Sequence, residues 1–372
     1  MLNIRSFPPL VDMLFNKHHM LVDRCWYGFI TALLIGLCIG KSVIFSLTEL
    51  SIKQVFRTQS QVRDLAILHH SKAGVPTMGG VIVLIASLAS VLIWASFNDL
   101  VVIALLVYLA CTFIGWLDDF LKIRRNNSKG LSGWFKLLMQ AAVTFMVIYL
   151  AYQDPPLKNL LMRVDWQILE RFSPSTVFYL TVLFYFFVIA GTTNAVNITD
   201  GIDGLAISNI LLCFLFFSVV GFFSCDMQIA HPNWLLTYSG GASELAVLCA
   251  CFAGGSAAFL VFNHHPASVF MGDTGSIGLG GLVAIVAILL RQPFMLCLVG
   301  LVFVIEVLSD VIQVTSKKLF KRRVFLIAPL HHHFELKGFA EQKIVNTVFV
   351  IQFLLVLFAL YVIFYREVQF AW

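Results

Sequence analysis

Five short polar clusters interrupt a chain that is otherwise almost continuously apolar, and their residue types suit cation and phosphate chemistry. Asp118 and Asp119 stand side by side and are followed by Lys122 and Arg124-Arg125. Asn194, Asn197, Asp200 and Asp203 recur at intervals of three, with Gly201 and Gly204 between them. Asp273 sits in Phe270-Met271-Gly272-Asp273-Thr274-Gly275-Ser276, a short way after Asn263. His331, His332 and His333 precede Phe334-Glu335, and Lys72 comes shortly before Thr77-Met78-Gly79-Gly80.

Each cluster has a sharp and a plain reading. Acids near hydrocarbon cost about 2.5–3.5 kcal/mol each, and adjacent like charges add repulsion, so Asp118 and Asp119 need something to offset them. That is either a basic loop beside a solvated helix end, or a divalent cation or acid–base site. On a helix, residues three apart are offset by about 60°, so two or three members of the Asn194–Asp203 run can face one point. An ordinary loop rich in Asn, Asp and Gly is the alternative. Asp273 suits either an N-terminal helix cap or a hard cation such as Mg²⁺, which takes carboxylate oxygens and keeps water and substrate phosphate.

Adjacent histidine side chains point in different directions and rarely all ligate one ion. His331–His333 therefore read as hydrogen-bonding or proton-transfer groups beside an anionic substrate, or as a surface cluster. Lys72 and Lys122 are topology anchors or, beside a carboxylate-bound cation, phosphate contacts. Glu306 and Asp310, four residues apart within an apolar segment, pair with polar groups in the bundle or mark a break in the helix.

The elements that must position these groups follow from composition. With 59% hydrophobic and only 12% charged residues, the chain is an integral membrane protein, all-α and polytopic. Apolar runs of the ~20 residues needed to cross ~30 Å of hydrocarbon predict about ten helices. They cover roughly 26–48, 77–97, 100–121, 133–152, 176–195, 204–224, 243–262, 274–290, 294–316 and 345–365. No soluble segment reaches domain size, so residues 1–372 read as a single transmembrane domain. A cleaved signal peptide is not expected, because the first apolar run is too long for one and follows about 25 polar residues. The eight cysteines form no CxxC pair, which argues against a disulfide framework or a zinc site.

Loop parity then gives the polar clusters a common side. The loops after the odd-numbered helices carry all five clusters and fifteen Lys and Arg residues, against eight on the other side. The positive-inside rule makes the cluster-bearing face cytoplasmic and puts both termini outside. Nothing in the modest formal charge of +5 suggests a nucleic-acid partner.

Taken together, SKAGVPTMGG from Ser71, DDFLK from Asp118, NAVNITDGIDG from Asn194, VFMGDTGS ending at Ser276 and APLHHHFELKG from Ala328 resemble the polyprenyl-phosphate N-acetylhexosamine-1-phosphate transferases. The resemblance covers about residues 24–365, and the triple-histidine loop is similar to the phospho-N-acetylmuramoyl-pentapeptide transferase branch. It implies Mg²⁺-dependent transfer from UDP-N-acetylmuramoyl-pentapeptide to undecaprenyl phosphate, giving lipid I and UMP, in a bacterial inner membrane. By position it implies Asp118 as the base for the lipid phosphate, Asp273 as the principal Mg²⁺ ligand and Asp119 as a support. Lys72, Thr77, Asn194, Asn197, Asp200, Asp203 and Asn263 would line the nucleotide–diphosphate pocket, with Phe270 against uracil and His331, His332 and His333 nearby. A homodimer is expected from the family alone. Thr192-Thr193 and Asp310 depart from the family pattern.

Two other classes compete. An ion-coupled transporter would put its acids near the bilayer midplane, whereas here all the cluster acids but Glu306 and Asp310 lie at helix ends on one face. An intramembrane prenyltransferase would want a further acid where Lys122 stands.

Overall fold

The computed structural model describes residues 20–50, 74–125, 130–162, 172–224 and 241–370, without the side chains of the last six. Thirteen α-helices and no strand are present among them. They are α1 (Leu21–Glu49), α2 (Gly80–Trp94), α3 (Asp99–Arg124), α4 (Gly133–Gln153), α5 (Pro155–Met162), α6 (Pro174–Thr199) and α7 (Leu205–Phe223). The chain continues through α8 (Ala242–Asn263), α9 (Gly272–Leu289), α10 (Pro293–Val299), α11 (Leu301–Phe320), α12 (Leu330–Leu336) and α13 (Glu341–Phe370).

Eight of these helices are long and apolar enough to cross a membrane, and α10 with α11 makes a ninth span if read as one. All ten expected segments are helical, with two differences. The segment expected over 77–97 is a helix of 15 residues, only about 22 Å long at 1.5 Å per residue. Its start is delayed because residues 76–80 pair their backbone with 270–271: Phe270 donates to Pro76, Gly79 to Phe270 and Gly80 to Met271. The segment expected over 294–316 is bent by 81° at Gly300. The break therefore falls at Gly300 and not at Glu306 or Asp310.

Helix starts follow local rules. Asn98 caps α3 through Val101 N–H at 2.9 Å, and Ser132 caps α4 through Phe135 N–H at 3.3 Å. Ser173 caps α6, which has Pro174 in its first turn.

Helix α9 is the centre of the bundle, buried continuously from Thr274 to Leu289 and packed on α2, α3, α6, α7 and α10. Small residues permit that closeness. A Cβ on Gly278 would overlap Thr112, and one on Gly281 would crowd Cys111, so α3 and α9 approach almost backbone to backbone. Far from the polar clusters, Arg24 of α1 bonds Glu244 of α8 and the Trp94 carbonyl, while Glu244 accepts from Ser96 N–H at 2.7 Å. This buried pair ties α1, α2 and α8 together at that end.

Candidate active site

The close contact of α3 and α9 brings three carboxylates to one point. Oxygens of Asp118, Asp119 and Asp273 lie within 4.8 Å of one another. Asp118 and Asp119 are 1% and 4% exposed, so the charges must be compensated locally. Two lysines do so. Lys122 lies 2.6 Å from Asp118, 3.0 Å from Asp273 and 3.7 Å from Asp119. Lys136 of α4 lies 2.8 Å from Asp273 and 3.1 Å from Asp118. Three carboxyl groups thus share two ammoniums.

The three acids have different duties. Helix α9 has no cap from its own sequence. Asp119 supplies one from α3, accepting from Asp273 N–H at 3.2 Å, Thr274 N–H at 2.9 Å and the Thr274 hydroxyl at 2.8 Å. Asp273 therefore does not cap the helix: it lies in the first turn with its carboxylate on the lysines. Gly272, at φ +73°, makes the turn, and a Cβ there would lie 2.8 Å from Asp119 and 2.9 Å from Thr77 Oγ1. Asp118 accepts from Leu131 N–H at 2.6 Å, which anchors the loop into α4.

Around this centre, Asn197 donates to Ser276 Oγ at 2.9 Å, joining the end of α6 to α9. Asn194 lies a turn earlier and donates to Gln140 of α4 at 3.0 Å. Asp200, at the C-terminal end of α6, is pushed up to about 8, first by burial and then by the charges of Asp273, Asp119 and Asp203. Thr77 is buried against Gly272, and half-buried Phe270 is held by its main-chain bonds to Pro76 and Gly79.

Asp203 and Asn263 belong to a neighbouring cluster. Asp203 accepts from Ala267 N–H at 3.1 Å, lies 3.1 Å from His265 Nδ1, and donates its own N–H to Glu341 at 2.7 Å. Asn263 accepts from Gly204 N–H and donates to the Val269 carbonyl. Asp203, His265 and Glu341 offer atoms within 4.8 Å of one another, but their hydrogen bonds account for the arrangement.

The three histidines diverge. His331 is buried on Glu306 at 3.1 Å, His332 meets Glu335, and His333 accepts from Leu326 N–H at 3.1 Å. Burial and then Lys337 hold the His333 imidazole below its usual range. Lys72 lies outside the described residues. Lys136, His265 and Glu341 were not singled out as site residues by sequence. For Lys136 the available signal was an ammonium inside a predicted apolar span.

A three-carboxylate centre of hard oxygens suits Mg²⁺ or a similar cation, and the two lysines mark where positive charge is required. The fold and site define a polytopic membrane protein with an acid–lysine centre at one end of its helix bundle. Residues 101–291, which span α3 to α9, match the family described as Glycosyl transferase family 4. A Phospho-N-acetylmuramoyl-pentapeptide-transferase from Vesicomyosocius okutanii subsp. Calyptogena okutanii (strain HA) is 39% identical over 364 residues, covering 96% of this chain and 98% of that protein. The chain belongs to this transferase family.

Proposed function

We propose that the protein transfers phospho-N-acetylmuramoyl-pentapeptide from its UDP-activated form to undecaprenyl phosphate, releasing UMP and forming lipid I at the cytoplasmic face of a bacterial inner membrane. The observation that carries this reading is the convergence of Asp118, Asp119 and Asp273 on Lys122 and Lys136. The named relative supports the substrate class.

The reaction brings an anionic lipid phosphate onto an anionic diphosphate, so repulsion must be offset where they meet. Asp273, with Asp118 and Asp119 beside it, would hold Mg²⁺. When bound, Mg²⁺ neutralises diphosphate charge and stabilises the departing UMP. Lys122 and Lys136 hand their charge from the carboxylates to substrate phosphates. Asp118 takes the proton of the lipid phosphate, whose oxygen forms the new bond to the sugar-linked phosphorus as the bond to UMP breaks. Direct attack is favoured over a covalent Asp273 intermediate, because an acid occupied with the metal is a poorer nucleophile.

Asn194, Asn197, Asp200 and Thr77 would shape the pocket for nucleotide and diphosphate, together with Lys72. Phe270 would meet uracil, with Asp203 and Asn263 holding the turn behind it. The excess of Lys and Arg on the cluster-bearing loops supports the cytoplasmic orientation. A homodimer is proposed on family grounds alone.

The test is UMP release from the purified protein with UDP-N-acetylmuramoyl-pentapeptide, undecaprenyl phosphate and Mg²⁺. No UMP, or equal release from UDP-N-acetylglucosamine, sinks the assignment.

A further inference from the structure

Glu306 and His331 form a buried pair that the acid–lysine centre does not use. Glu306 is 4% exposed and His331 is 1% exposed. One carboxylate oxygen, Oε2 of Glu306, lies 3.3 Å from the backbone N–H of His331 and 3.1 Å from its Nδ1. An ionised carboxylate only accepts, so opposite a charged Glu306 it is Nδ1 that carries the proton; a lone pair there would face a carboxylate in a buried site. The other ring nitrogen, Nε2, is buried with no hydrogen-bond partner among the described residues. It abuts Gly201, where a Cβ would overlap it. Gly201 directly follows Asp200, so the ring edge presses on the turn that ends α6.

We propose that Glu306 is a positioning residue for the transfer reaction: it fixes His331 as the Nδ1–H tautomer, and the ring sets the turn carrying Asp200. An unpartnered Nε2 is then a bare acceptor, a smaller cost than a buried N–H with no acceptor. The bend at Gly300 gives the pair its place, because it turns α11 so that Glu306 meets the histidine-bearing α12. The proposal rests on the activity proposed above, but its structural half can be read without substrate.

Nitrogen NMR of protein carrying nitrogen-15-labelled histidine, with His331 identified by its loss in His331→Asn, reports the tautomer directly. The expected signal is a protonated Nδ1; a ring protonated on Nε2 alone overturns the proposal whatever the kinetics of the Glu306 variants show. In kinetics, Glu306→Gln keeps an acceptor for both donors and should retain kcat within about 3-fold, whereas Glu306→Ala should lower kcat at least ~10-fold with a smaller change in KM. Equal loss in both variants, or wild-type kcat in Glu306→Ala, contradicts it. If wild-type protein releases no UMP, the activity assignment fails while the tautomer result still decides whether Glu306 orients the ring.

Discussion

Asp119 of α3 caps helix α9 at Thr274, its Oδ2 accepting from both the backbone N–H at 2.9 Å and the hydroxyl at 2.8 Å. One carboxylate therefore holds the helix start from which the next acid, Asp273, projects. Asp119→Asn should lower stability by about 1–3 kcal/mol, because donors at the start of α9 lose charged acceptors in a buried place. It should also lower turnover. Asp273→Asn should do the reverse, leaving thermal stability near or above wild type and cutting turnover at least ~10²-fold. Thermal unfolding in detergent beside a UMP-release assay separates the two; matching profiles would contradict the division of labour.

Lys136 reaches Asp118 and Asp273 from a third helix. Lys136→Met should reduce kcat/KM at least ~10-fold by removing a phosphate-ready charge and leaving two buried acids less well compensated. Steady-state kinetics at saturating lipid substrate checks this, and unchanged kcat/KM would remove Lys136 from the site.

Gly201 packs against the His331 ring with no room for a side chain. Gly201→Ala should shift the ring or the turn, cost about 1–3 kcal/mol of stability and lower turnover despite an intact acid–lysine centre. A variant as stable and active as wild type would mean that the contact is slack.

Burial, and then the charges of Asp273, Asp119 and Asp203, push the Asp200 carboxyl up from its ordinary 3.8 to about 8. Its raised value means that the folded state holds a proton that the unfolded chain has lost, so its contribution is full below about pH 4 and gone above about pH 8. Stability from this group therefore falls as pH rises through that window. Asp200→Asn should unfold at a higher temperature than wild type at pH 8.5, with the gap narrowing towards pH 5. A gap independent of pH would show that Asp200 is ionised throughout.

Much of this was legible in the sequence because the bilayer makes each polar group costly. Asp118, Asp119 and Asp273 stood out against apolar surroundings, and loop parity grouped them before any contact was known. Lys136 was not legible as part of the site, since its partners lie on α3 and α9, at sequence separations only tertiary packing bridges. The capping of α9 was hidden for the same reason: Asp273 has the type and position of a cap, but the cap comes from Asp119, 154 residues earlier. A break in this segment was one reading of Glu306 and Asp310, but its place at Gly300 was hidden because that glycine lies within an apolar run whose length suggests one continuous span.

The central claim is that three carboxylates and two lysines at one end of the bundle perform a cation-dependent phosphoryl-sugar transfer to a lipid. The most direct measurement follows UMP and lipid product together, from UDP-N-acetylmuramoyl-pentapeptide and undecaprenyl phosphate, with Mg²⁺ and then with a chelator in excess. The account predicts equimolar UMP and lipid I with Mg²⁺, both abolished by the chelator and restored by added Mg²⁺. UMP without lipid product, or turnover indifferent to the chelator, would contradict it.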